Sequence, residues 1–164
     1  MFLEQAITAL SESGARYCVV GGVAVSLHGV PRTTYDLDIV AVPTASNLGR
    51  VDAALRSLGL APRAPVELVA LADEAVRREW LELRNLMALT YGDPSDPLRE
   101  VDVLVSPPVD SVADLVGRAQ HRAVGRMTVP LVSIPDLIAM KRRAGRAQDL
   151  ADVAHLEQLV EDAP

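Results

Sequence analysis

Asp36 and Asp38 lie in an alternating run, Tyr35 to Val42, that reads as a β-strand. Residues i and i+2 of a strand share a face, so the two carboxylates project side by side, with Cα atoms roughly 6–7 Å apart. Carboxylates so placed repel unless a cation or a proton sits between them. Apolar Leu37, Ile39 and Val40 put this strand in the core and its end at a site. Mg²⁺ or Mn²⁺, which favour oxygen ligands, are the simplest neutralisers. A strand end carrying two solvated acids fits the same pattern. A third acid, Asp102, stands between two valines in the strand-like run Arg99 to Ser106. An acid in such surroundings needs a partner: a cation shared with Asp36 and Asp38, or an arginine across the sheet.

Two further groups suit an anion. Gly21-Gly22 follows the compact apolar run Tyr17 to Val20 and precedes a short helical segment, Val23 to Leu27. Paired glycines let the backbone turn sharply and approach a ligand, and the first free N–H groups of the helix would face it. The second group is Lys141, Arg142, Arg143 and Arg146, four cations within six positions. They form a local anion site or a solvated helix end that complements its own dipole. Lys141 is the single lysine beside fifteen arginines. Asp149 and Asp152, one helical turn apart, are placed to orient these cations.

The elements that position these residues follow from periodicity. Phe2 to Ser13 predicts a helix ended by Gly14. Pro43-Thr44 opens a second helix with Leu48, Val51, Leu55 and Leu58 on one stripe. Ala61 to Pro65 reads as a loop, and Leu71 to Trp80 as helix within the ambiguous Val66 to Leu83. Asn85 to Tyr91 and Arg99 to Ser106 predict a hairpin joined by an exposed turn at Gly92 to Pro97. Pro107 to Gln120 reads as a helix, and His121 to Met127 and Thr128 to Val132 as short strands. Pro135 is expected at the first position of the basic helix, and Gln148 opens the last one. Trp80, His121 and His155 read as packing or surface residues, and His28 as a cap, a packing residue or a nucleotide contact. The whole predicts one α/β (α+β) domain over residues 1–164, a mixed β-sheet flanked by helices.

Composition narrows the class. Apolar residues make up 49% and aromatics 3%, so the core is built from aliphatic side chains. A net charge of −6 argues against a surface that grips nucleic acid all over. The one cysteine, Cys18, excludes a disulfide framework or a cysteine zinc site. No apolar stretch reaches membrane-spanning length and no signal sequence opens the chain, so a cytoplasmic protein is expected.

The combination Gly21-Gly22, Ala24, Leu27-His28-Gly29, Arg32, Thr34, Asp36-Leu37-Asp38, Val101-Asp102-Val103-Leu104 and Lys141 through Asp152 resembles the nucleotidyltransferase superfamily. It is most similar to small bacterial AbiEii and MenT toxin-type transferases. Gly-Gly stands where that family has Gly-Ser. The resemblance implies a nucleotidyltransferase-like fold and metal-dependent transfer of a nucleoside monophosphate from a nucleoside triphosphate such as ATP. It implies that Asp36, Asp38 and Asp102 hold Mg²⁺ or Mn²⁺ and are catalytic. Gly21, Gly22, Arg32, Thr34, Lys141, Arg146 and Asp149 would form the nucleotide site. The acceptor would be an RNA end (tRNA above all), a protein side chain or a small hydroxylated molecule. A cognate antitoxin is an expected partner. A catalytically silent nucleotide- or partner-binding module on the same fold is the alternative.

Overall fold

The structure is a computed structural model and describes residues 1–162. Among the described residues, seven α-helices, a 3-10 helix at Leu68–Ala72 and a mixed seven-stranded sheet make up the fold. The helices are α1 (Phe2–Glu12), α2 (Gly21–Leu27), α3 (Ala45–Ser57), α4 (Glu74–Arg84), α5 (Val112–Gly117), α6 (Ile134–Ala144) and α7 (Ala147–Glu161). The strands are β1 (Tyr17–Val19), β2 (Leu37–Ala41), β3 (Ala61–Pro62), β4 (Ala88–Asp93), β5 (Asp96–Leu104), β6 (Gln120–Val124) and β7 (Met127–Leu131). Their order is β3-β4-β5-β2-β1-β7-β6. The pairs β2–β5 and β1–β7 are parallel, and the rest are antiparallel.

Register assigns the faces. Leu37 is opposite Val101, and Val101 opposite Tyr91, so these share one face. That face is closed by α3, whose Asp52 accepts a 2.5 Å hydrogen bond from the Tyr91 hydroxyl, and by α1, whose Ile7 carbonyl and Ser11 hydroxyl meet the Tyr17 hydroxyl. The other face carries Asp38, Asp102 and Thr90 in one row across β2, β5 and β4. Its central part is covered by α6, which presents Leu137 and Met140.

Local chemistry sets the boundaries. The Thr44, Asp73, Ser111 and Ser133 side chains cap α3, α4, α5 and α6 by accepting from first-turn amides. Gly145 ends α6 in the left-handed region at φ 68°. Several sequence-based boundaries shift. Strand β2 starts at Leu37, not Tyr35, so Asp36 precedes it. Its β1 partner ends at Val19, and residues ahead of Leu37 have no strand to pair with on that side. Helix α2 begins at Gly21 itself. Most of Gly92 to Pro97 is strand, with the reversal confined to Pro94-Ser95. Ala61–Pro62 pairs as a short edge strand. The predicted helix over 107–120 contracts to six residues, because Pro107, Pro108 and the capping Ser111 delay its start. Pro135 occupies the second helical position, after Ile134.

One buried polar side chain knits the layers. Asn47 on α3 donates to the Arg16 and Val42 carbonyls (both 2.9 Å) and accepts from the Arg16 N–H (2.7 Å). It thus satisfies backbone groups on both sides of the β1–β2 pair. Asn47→Ala should destabilise the fold by roughly 1–3 kcal/mol, because it removes its hydrogen bonds to Arg16 and Val42, although both carbonyls keep a backbone donor. Urea unfolding followed by circular dichroism measures this, and a loss under about 1 kcal/mol would show that water replaces the side chain.

Candidate nucleotidyltransferase site

The site lies where β1 hands over to α2. The Val20 N–H donates to the Asp38 carbonyl at 2.9 Å, clipping the end of β1 to β2. Gly21 has φ +66°, and a Cβ there would overlap the Asp38 carboxylate, so conformation and contact both demand glycine. The Gly22 N–H faces the Asp38 carboxylate and favours its charged form. A Cβ on Gly22 would stand 2.8 Å from Thr34 Oγ1 and 3.1 Å from Arg32 Nε. The loop from Pro31 to Asp36 therefore folds directly over the glycine pair.

Asp38 and Asp102 are register partners on adjacent parallel strands. Asp102 Oδ1 accepts a 2.6 Å hydrogen bond from the Thr90 hydroxyl. Asp36 is exposed, one residue ahead of β2, and reaches Asp38 through its charge rather than through the ladder. Burial pushes the Asp38 carboxyl up to about 6, and the charges of Asp102 and Asp36 push the same way. The Gly22 N–H and Lys141 oppose them without cancelling them. The pair thus carries uncompensated negative charge on a half-buried surface, which suits a divalent cation. Among the described residues, no three carboxylate, imidazole or thiol groups gather closely enough to hold a metal ion. What is preformed is the Asp38–Asp102 pair, with Asp36 on the adjoining loop.

Opposite the carboxylates stands a ladder of alternating charge. Lys141 is buried and its ammonium contacts Asp152 at 2.7 Å and Asp149 at 3.1 Å, both buried. Asp152 also pairs with Arg32, and Asp149 with Arg146 at 2.6 Å. The order is Arg32–Asp152–Lys141–Asp149–Arg146. Burial raises the Asp149 carboxyl, but Arg146 and Lys141 outweigh this and hold it below the usual carboxylate range. Lys141, Arg146, Asp149, Gly21 and Asp38 line one small cleft of 100 Å³ between α6 and β2. Arg142 and Arg143 point elsewhere, to Glu157 and to the Pro108 carbonyl.

The remaining candidates are structural. His28 is buried, and its Nε2 lies 2.7 Å from the Val132 carbonyl, pinning α2 to the end of β7. Burial lowers its pKa, so the ring is neutral near neutral pH. Cys18 is buried, and burial raises its thiol to about 12, far from thiolate chemistry. Asp152 links two cations, the orienting role that its i, i+3 spacing from Asp149 predicts. One contributor emerges only from the structure. Thr90 carries no sequence signal, since only the β4–β5 register brings it to Asp102.

Glycine turn, in-register aspartates and cationic ladder stand together on a mixed sheet of nucleotidyltransferase-like fold. The chain belongs to the family of nucleotidyl transferase AbiEii toxins of type IV toxin–antitoxin systems, whose model matches residues 3–164. Its fold is similar to that of the antibiotic-resistance factor ANT(2'')-Ia in solution, with a TM-score of 0.62 at 12% identity. That match covers 98% of this chain and 85% of the other. It is also similar to crystalline ANT(2'')-Ia in complex with adenylyl-2''-tobramycin, with a TM-score of 0.53 at 12% identity, covering 96% and 91% of the two chains. No curated protein matches the sequence. No helix among the described residues is long and apolar enough to cross a membrane.

The raised Asp38 pKa fixes the sign of a pH effect. An acid whose folded pKa lies above its unfolded value of about 3.9 destabilises the fold progressively as pH rises through that window, fully so above the folded value. In chelator-treated protein at about pH 8, Asp38→Asn should therefore raise stability by roughly 1–3 kcal/mol, and at about pH 3.5 it should raise it little. Denaturant titrations at both pH values test this. A gain of equal size at both would place its cause outside the ionised carboxylate.

The ladder generates a second contrast. Lys141→Met leaves Asp149 and Asp152 buried without their shared cation and should cost roughly 3–5 kcal/mol. Arg146, largely exposed, should cost under about 1 kcal/mol when changed to Met. Melting curves of the two variants would contradict the ladder if their order were reversed.

Proposed function

We propose that the chain moves a nucleoside monophosphate from a nucleoside triphosphate to an acceptor hydroxyl, as the toxin of a toxin–antitoxin pair. Residues 1–164 act as one cytoplasmic domain in this reading. The observation that carries it is the register of Asp38 with Asp102 directly above the Gly21-Gly22 turn. Asp38 and Asp102, joined by Asp36 from its loop, would hold Mg²⁺ or Mn²⁺. When bound, such an ion supplies Lewis acidity, neutralising phosphate charge and making an acceptor hydroxyl more acidic.

The chain's own groups do the rest. Phosphoryl-group transfer calls for alignment and charge stabilisation more than for covalent help from the protein. The bare Cα atoms of Gly21 and Gly22 let a phosphate approach the first turn of α2. Arg32 and Arg146, at the two ends of the ladder, carry N–H groups toward its anionic oxygens. Lys141, paired twice, fixes both arginines through Asp152 and Asp149, and Asp149 enters the nucleotide site in that role. The Thr34 hydroxyl, over Gly22, is placed to donate to phosphate or ribose. Asp102 is positioned to accept the acceptor's proton, with Thr90 holding its orientation. The acceptor is a hydroxyl on an RNA end (tRNA first), a protein or a small molecule, and the partner is a cognate antitoxin.

Wild type incubated with each labelled triphosphate, Mg²⁺ or Mn²⁺, and total RNA, cell protein or small hydroxylated acceptors should release pyrophosphate and label one acceptor class. Asp38→Asn should lower that rate by about 10²–10³ or more, since an amide is a poor ligand for a hard cation. Nucleotide binding without metal should change little. Binding without transfer to any acceptor would favour the silent module. An Asp38→Asn variant as active as wild type would move the site elsewhere.

A further inference from the structure

A roomier space than the aspartate cleft lies elsewhere in the molecule. A cavity of 390 Å³ lies at the opposite ends of the same two strands, beyond Ala41 of β2 and Leu104 of β5. These strands are parallel neighbours, yet the chain leaves them in different directions. After β2 it passes into α3, which packs on the Tyr91 face through Asp52. After β5 it passes into α5, which Arg118 ties to Asp136 of α6 on the Asp38 face. Neighbouring parallel strands whose connections part to opposite faces leave a crevice at their carboxyl ends, and open α/β sheets bind ligands in such crevices.

The lining has two characters. Leu48, Leu68, Leu71 and Val103 form an apolar floor, all of them buried. Arg77 of α4 stands at the wall, half buried. Its Nη1 donates to the Leu71 and Ala72 carbonyls at 2.7 and 2.9 Å, which fixes the guanidinium in place. It makes no ion pair among the described residues, unlike Arg56, Arg78 and Arg99. Asp110, the acid of the lining, is almost fully exposed and pairs with Arg143 at 3.5 Å. A held arginine with free N–H groups and no counter-ion, beside an apolar floor, selects an anion attached to an apolar body.

We propose that this cavity is a second ligand site, separate from the nucleotide cleft, for a small molecule with an apolar body and one anionic group bound by Arg77. The two sites share a wall. Leu104 lines both, and the segment after it supplies Pro107 to the cavity and Pro108 to the cleft. An occupant would press on β5 two residues beyond Asp102.

The probe is 8-anilinonaphthalene-1-sulfonate, an aromatic body bearing one sulfonate, titrated into the whole chain by fluorescence. Saturable one-to-one binding to the wild type is expected. Arg77→Gln should weaken it by roughly tenfold or more through loss of a charge-assisted contact. Ala113→Trp, at the exposed mouth, should block it without touching the floor, and thermal melts show that both variants fold. Asp38→Asn and saturating ATP should leave the bound fraction in place, because the nucleotide cleft is elsewhere. Equal binding by Ala113→Trp and wild type, or competitive displacement by ATP, would overturn the proposal. None of these readouts depends on turnover, so the site stands or falls apart from the transfer reaction.

Discussion

The structure depends on a lysine that it cannot release. Lys141 sits under the surface between Asp149 and Asp152, and each aspartate holds an arginine on its other side. Buried charges are tolerated only when each has its counter-charge and hydrogen bonds, and here every member of the set is paired. The consequence is geometric. Helix α6 carries Lys141, α7 carries both aspartates, and the loop ahead of β2 carries Arg32. One ammonium thus fixes two helices and the loop that covers Gly22. A charged surface assembled from three separate segments needs such a tie. A compact ammonium serves better at its centre than a guanidinium, because its N–H groups can turn toward acids on either side.

The other half of the site stores the opposite imbalance. Asp38 is pressed against Gly21, faces Asp102 and feels Asp36, and only one backbone N–H and the edge of the ladder oppose this. The fold holds two carboxylates closer than they would choose and relies on the sheet ladder and the glycine contact to do so. This accounts for Gly21 independently of any ligand: no other residue lets Asp38 reach the Gly22 N–H. A site that carries such strain before substrate arrives stands ready for positive charge, and the adjoining ladder stands ready for negative charge.

Much of this was legible in the sequence. The i, i+2 spacing placed Asp38 on a core strand, and the valines around Asp102 placed it on another. The register that sets them side by side is a tertiary fact, with Leu37 opposite Val101, and follows from no local pattern. Asp36 was misplaced by alternation, which continues through Tyr35 although no β1 partner reaches that far. Apolar spacing alone extends a helix over 107–120, but Pro107-Pro108 and the Ser111 cap hold its start back to Val112. The basic run around Lys141 reads as a surface in sequence, but α7 folds back on α6 and buries Lys141, leaving Arg146 as the exposed end of the set and Arg32 partly covered. Thr90 and the far cavity left no trace, since both arise from strands meeting rather than from residues in sequence.

The sheet also explains why the two ends of β2 and β5 differ. At the Asp38 end, antiparallel β1 arrives beside β2 and turns at once into α2, so backbone N–H groups and glycines meet carboxylates and the site is polar. At the far end both strands point outward together, and their helices leave toward opposite faces. Aliphatic side chains of the kind that fill the interior elsewhere line the gap between those departures. Polarity at one end and an apolar hollow at the other thus follow from a single feature of topology, an antiparallel neighbour on one flank of β2 and a parallel neighbour on the other. Strand β5 borders both, with Asp102 on the carboxylate row and Leu104, two residues on and on the same face, in the wall of the hollow.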